Sequence, residues 1–175
     1  MEWIVGGLLI ATAIIGGAVA IWRRESNAIG WAIAQLVLVA AAGSLAILGA
    51  AMSQQGAIPL AICAVLAATF GGGIVVKVVL RLAGHPQAIV DDLPASAWIG
   101  MVERFGMTFA LVLGRAEIAA VIIAVKALGS YSAGVTGGVA GNRVASVRVL
   151  GTLTSVTWAL LCYAVIAVVR ARMVP

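Results

Sequence analysis

Apolar residues run along this chain in long blocks broken by short polar interruptions. Between Glu2 and Arg23 lie 20 residues without a charge, between Glu25 and Lys77 lie 51, and between Arg148 and Arg170 lie 21. A helix rises 1.5 Å per residue and a bilayer's hydrocarbon core is about 30 Å thick, so roughly 20 apolar residues make one span. The pattern predicts six hydrophobic segments, at 3–22, 28–52, 57–80, 97–114, 117–133 and 149–169. The expected fold is all-α: one integral membrane domain over 1–175, a polytopic helical protein of about six transmembrane segments.

The interruptions set the topology. Arg23-Arg24-Glu25-Ser26-Asn27 is short and basic, whereas Ser53-Gln54-Gln55-Gly56 is uncharged and is followed by Pro59 near a helix start. Loops one, three and five collect Arg23, Arg24, Arg81, Arg143 and Arg148, against Arg115, Arg170 and Arg172 on the other face. Basic residues gather on the cytoplasmic side, so this asymmetry places both termini outside. Met1-Glu2-Trp3 lacks the basic start of a secretory signal, so the first apolar run is expected to stay in the mature chain. A bacterial plasma (inner) membrane is the expected address.

Composition agrees: 63% of residues are hydrophobic and only 10% charged, where soluble domains carry about a quarter. The net charge of +5 is scattered over membrane-flanking loops rather than gathered in a patch. It therefore predicts anionic membrane lipids as partners, not nucleic acid. Cys63 and Cys162 stand alone in apolar runs without disulfide or metal-site spacing, and no cofactor is expected. The 21 glycines, among them Gly71-Gly72-Gly73, suit close helix packing, an oligomer or a membrane partner subunit. The stretch from Gly134 to Gly141 lacks the Lys-Ser/Thr of a phosphate loop.

Three charges fall well inside predicted segments, away from their ends. Glu103 and Arg104 lie five to seven residues past Ala97-Trp98, and Lys126 lies in the middle of Ile118–Leu128. A charge at such depth costs roughly 2.5–3.5 kcal/mol on the insertion scale and calls for a partner or a polar surrounding. If segments four and five fold back about Gly114-Arg115, position 103 comes level with 126, so Glu103 and Lys126 are expected to pair across a charged hairpin. Arg104, about 100° further round the helix, projects elsewhere, leaving one surplus positive charge for a lipid phosphate or an anionic substrate. Thr152 and Ser155 share a face of the sixth segment, as do Thr154 and Thr157, so one stripe is placed to hydrogen-bond to the hairpin, the alternative being the helix's own backbone.

The candidate site is thus Glu103, Arg104, Lys126, Thr152 and Ser155, with no catalytic or metal-ligating role assigned. Two function classes follow: a non-enzymatic protein that binds or moves a small anionic or lipidic solute, and a structural or accessory subunit without a solute site. A weaker third reading is an enzyme acting on lipid headgroups, carried only by His85, Asp91 and Asp92.

The residues Ile99-Gly100-Met101-Val102-Glu103-Arg104, then Gly114, then Ala124-Val125-Lys126, and finally Gly151-Thr152-Leu153-Thr154-Ser155 resemble a pattern in a bacterial membrane-protein family of unknown function. Its members show an I-G-x-x-E-R entry, a glycine turn, an A-x-K segment and a G-T-L-x-S entry to the last helix. The resemblance covers about residues 97–160 and implies an ordered hairpin-plus-helix unit with Glu103, Arg104 and Lys126 at its core. Where those relatives have an Arg-aromatic pair this chain has Ser130-Tyr131, and where they have an acidic residue before G-T it has Ser146. If the two missing charges pair in relatives, their joint loss leaves no orphan.

Overall fold

The computed structural model describes residues 2–22, 27–49, 56–84, 94–136 and 138–172. His85, Asp91, Asp92, Arg23 and Arg24 lie outside them. The described residues form six helices and no strand: α1 (Glu2–Trp22), α2 (Ala28–Leu48), α3 (Ala57–Leu82), α4 (Pro94–Val112), α5 (Ala116–Thr136) and α6 (Gly138–Ala171). Four are long and apolar enough to cross a membrane, namely α1, α2, α3 and, from Ala145 onward, α6.

The helix ends depart from the apolar pattern for identifiable reasons. The second segment stops at Leu48 rather than 52, because Gly49 turns extended at φ −70° and ψ 160°. The fourth begins at Pro94, whose fixed φ suits a first helical turn where its missing N–H costs nothing. The largest difference is in α6, which begins at Gly138 and runs 34 residues, roughly 51 Å. Hydropathy marks only its membrane-length part. The basic stretch before Val149 has no proline to break the helix and continues it without an apolar signal.

Between α4 and α5 the chain reverses through Gly114, whose φ is +74°. The Arg115 N–H donates to Ala110 O at 2.8 Å and the Gly114 N–H to Leu111 O at 3.0 Å. These are the two bonds of a Schellman turn, which a residue with a Cβ enters only with strain.

Packing makes α3 the central helix. Of its apolar window 56% is buried, against 28–39% in the other three apolar helices, and it touches α1, α2, α4 and α6. Small residues allow this. A methyl at Gly16 of α1 would collide with the Phe70 carbonyl oxygen and lie 2.6 Å from Gly71 Cα, so the two backbones are in direct contact. Ala64, Ala67 and Ala68 of α3 are fully buried in a core completed by Leu9, Trp158 and Ile166. Large apolar side chains on the outer faces, such as Trp3, Ile14, Val37 and Ile58, are exposed, as a lipid-facing surface requires. At one end of the bundle, Arg170 of α6 and Arg172 just beyond it close other helices: Arg170 donates to Val112 O at the end of α4 (2.6 Å) and Arg172 to Gly49 O after α2 (2.9 Å). Terminal carbonyls have no partner within their own helix, and here the two arginines supply one.

Candidate functional site at Arg104

Arg104 is 4% exposed and reaches across to the middle of α3. Its Nε donates to Ala68 O (3.0 Å) and Thr69 O (3.2 Å), its Nη2 to Thr69 O (3.0 Å) and its Nη1 to Ser155 Oγ of α6 (3.1 Å). Beside it, Trp158 Nε1 donates to Ala67 O at 3.2 Å. Three successive carbonyls of one helix thus accept a bond from outside that helix.

The sequence of α3 explains why they are reachable. In an α-helix the carbonyls of 67, 68 and 69 accept the N–H groups of 71, 72 and 73, which here are Gly71, Gly72 and Gly73. Each carbonyl oxygen keeps a second lone pair, and side chains at the i+4 positions would normally crowd it. At Gly72 a methyl would sit 2.7 Å from Trp158 Cδ1 and 2.8 Å from Arg104 Cδ; at Gly71 one would sit 2.7 Å from Trp158 Cζ2. Trp158 and Arg104 occupy the space that two side chains would otherwise fill. The glycine triplet, legible in sequence as a packing device, here opens acceptors for a cation.

Glu103 and Lys126 lie on another side of α4. Lys126 Nζ donates to Glu103 Oε2, and both side chains are partly buried. The pair borders a narrow gap of about 10 Å³ between α4, α5 and α6, lined also by Thr152 and Ser155. That volume is about one water molecule. All five sequence candidates therefore gather around α4 and α6, but as two centres. Ser155 alone belongs to both, touching Arg104 and lining the gap.

Two expectations are corrected. Thr152 does not bond the hairpin: its hydroxyl returns to Arg148 O in its own helix (2.7 Å), as Thr154 returns to Leu150 O (2.9 Å), the usual satisfaction of hydroxyls within helices. The surplus charge on Arg104 does not wait wholly on an anion, because carbonyl dipoles and a hydroxyl take three of its five N–H groups. No described carboxylate lies within ion-pair distance of Arg104, the neighbouring Glu103 being engaged by Lys126. At the α4–α5 turn, Arg115 and Glu117 meet at 3.4 Å on the exposed surface.

Sequence reasoning did not single out Trp158, Gly72 or the carbonyls of Ala67, Ala68 and Thr69. The available signal was three glycines midway along a helix whose first twenty residues carry no charge, in a chain with one cation inside an apolar segment that has no expected carboxylate partner. Among the described residues no group of His, Cys, Asp or Glu forms a metal site. Fold and site together define an all-helical protein with apolar membrane-length helices and a guanidinium held at mid-bundle. None of the family models, curated proteins or solved structures compared with the chain matches it.

Proposed function

We propose that this chain is a non-enzymatic, six-span protein of a bacterial plasma membrane that binds or moves a small anionic or lipidic solute, with Arg104 as the group that holds the anion. In this reading α4 and α5 complete the six spans as a charged hairpin, both termini face outside, and anionic lipids surround the basic loops. The excess of arginine on loops one, three and five supports the orientation, and the resemblance of residues 97–160 to a bacterial membrane family supports the address. One observation carries the proposal. Arg104 is almost fully buried, carries a guanidinium, and has no carboxylate within ion-pair distance among the described residues. Ionisable groups set inside a membrane mark solute and ion pathways.

A second reading, a structural or accessory subunit in a homo-oligomer or with another membrane protein, is favoured by the Glu103–Lys126 pair and by the carbonyls that hold Arg104. These are arrangements a purely packed scaffold would also use. Native mass spectrometry of the protein extracted in mild detergent separates the two. A retained small anion or lipid that disappears in Arg104→Gln supports solute handling. A stoichiometric second protein with no small mass supports the accessory role.

A further inference from the structure

We propose that the crevice between Gly73 of α3 and Gly100 of α4 is an oxyanion site, in which a phosphate-type group is gripped by the terminal edge of Arg104. This rests on the reading of Arg104 as the anion-holding residue and adds where the anion sits and which chemistry it has.

The donor inventory comes first. A guanidinium carries one N–H on Nε and two on each terminal nitrogen. Nε is spent on Ala68 O and Thr69 O, one Nη2 donor on Thr69 O and one Nη1 donor on Ser155 Oγ. One N–H on each terminal nitrogen has no acceptor among the described residues. A donor pair on two nitrogens of one plane fits two oxygens of one oxyanion, the fork geometry that makes arginine a binder of phosphate and carboxylate. Leaving such donors unmet in an apolar interior is costly, and a bound oxyanion would remove that cost together with the net charge.

The space comes second. A methyl built on Gly73 would meet only Arg104 Nη2, at 4.0 Å, and one built on Gly100 would meet only Arg104 Nη1, at 3.3 Å. The two glycines flank the same two nitrogens that keep a free donor, from opposite helices, and both are partly exposed. In contrast, Gly71 and Gly72 are filled by Trp158 and by the aliphatic part of Arg104. Glycine therefore does different work at adjacent positions: at 71 and 72 it admits protein, while at 73 and 100 the guanidinium end is all that lies within 4 Å of where a side chain would begin. Lys77 and Arg81 follow Gly73 by one and two helical turns on the same helix. The gap lined by Glu103 and Lys126 is a separate place, bordered by an ion pair.

Inorganic phosphate and the headgroup of phosphatidylglycerol present the same oxygens, and the test separates them. Delipidated protein in a zwitterionic detergent is titrated with each, and binding is followed by native mass spectrometry, with thermal melting as the folding control. The variants are Arg104→Gln, Gly73→Val with Gly100→Val, and Gly73→Ala. Wild type is expected to take up one equivalent of at least one probe. Saturation by phosphate alone identifies a free anion, and saturation by the lipid identifies a headgroup. The double valine variant, melting within a few degrees of wild type, is expected to bind at least tenfold more weakly, and Gly73→Ala to bind at an intermediate level.

Binding lost in Arg104→Gln but unchanged in the double valine variant overturns the crevice while leaving Arg104 as the anion-holding group. Binding unchanged in all variants, or absent in wild type with both probes, overturns both. If Arg104→Gln or the double valine variant fails to fold, Gly73→Ala decides alone, and wild-type affinity in that variant overturns the crevice.

Discussion

Replacing Gly72 by alanine tests whether Arg104 is positioned by the surface of α3. The added methyl would lie 2.7 Å from Trp158 Cδ1, 2.8 Å from Arg104 Cδ and 2.9 Å from Arg104 Nε, distances at which something must move. Overpacking of this kind costs about 1–3 kcal/mol. Displacing Nε from Ala68 O and Thr69 O loses a charge-assisted bond of about 1.5–3 kcal/mol, and the gain in helix propensity returns about 1 kcal/mol. The net expectation is a loss of about 2–4 kcal/mol, a fall in melting temperature of roughly 5–15 °C for a chain of this size. Gly73→Ala is the internal control: its methyl meets only Arg104 Nη2 at 4.0 Å, so its melting temperature should equal or exceed that of wild type. The two variants differ by one position and share chemistry and helix. Thermal unfolding in detergent by circular dichroism reads both, and equal melting temperatures would refute the account of why the glycines are there.

Other consequences follow from the same geometry. In a double-mutant cycle, Glu103→Gln and Lys126→Met should each destabilise by about 1–3 kcal/mol while the double variant recovers most of that loss, because only the singles leave a charge without its partner; strict additivity in chemical unfolding would show that the two do not interact. Trp158→Phe removes both the donor to Ala67 O and part of a fully buried ring, so the loss expected in the same assay exceeds the about 0.5–1.5 kcal/mol of the hydrogen bond alone. Arg172→Ala leaves the Gly49 carbonyl without this donor, so hydrogen exchange should rise at the end of α2 and stay unchanged at mid-helix α3; uniform exchange would contradict the capping role.

The fold was legible where one physical rule dominated. Three charge-free runs locate the four membrane-length helices, and the α4–α5 reversal follows from Gly114, since few other residues enter a turn at positive φ. The level pairing of Glu103 with Lys126 followed from counting equal distances either side of that turn. The extent of α6 was not legible, because hydropathy reports the surroundings of a helix and not its continuity, and the residues before Val149 are helical without being apolar. The partners of Arg104 were hidden for a different reason. They are backbone carbonyls, which every residue possesses, so no side-chain motif announces them. Only the absence of side chains at Gly71, Gly72 and Gly73 marks the spot, and in sequence that absence reads equally well as helix packing.

The central claim is that Arg104 holds an oxyanion inside the membrane, and the most direct measurement is the distance from its terminal nitrogens to phosphorus. Solid-state NMR of ¹⁵N-arginine-labelled protein in phosphatidylglycerol-containing bilayers supplied with inorganic phosphate reports nitrogen–phosphorus dipolar coupling. Subtracting the spectrum of Arg104→Gln removes the contribution of the interfacial arginines. The account predicts a difference signal corresponding to a nitrogen–phosphorus separation of about 4 Å, that of a charge-assisted arginine–phosphate bond. A difference spectrum without dephasing, from a variant that remains folded, would show that no phosphate reaches Arg104 and would contradict it.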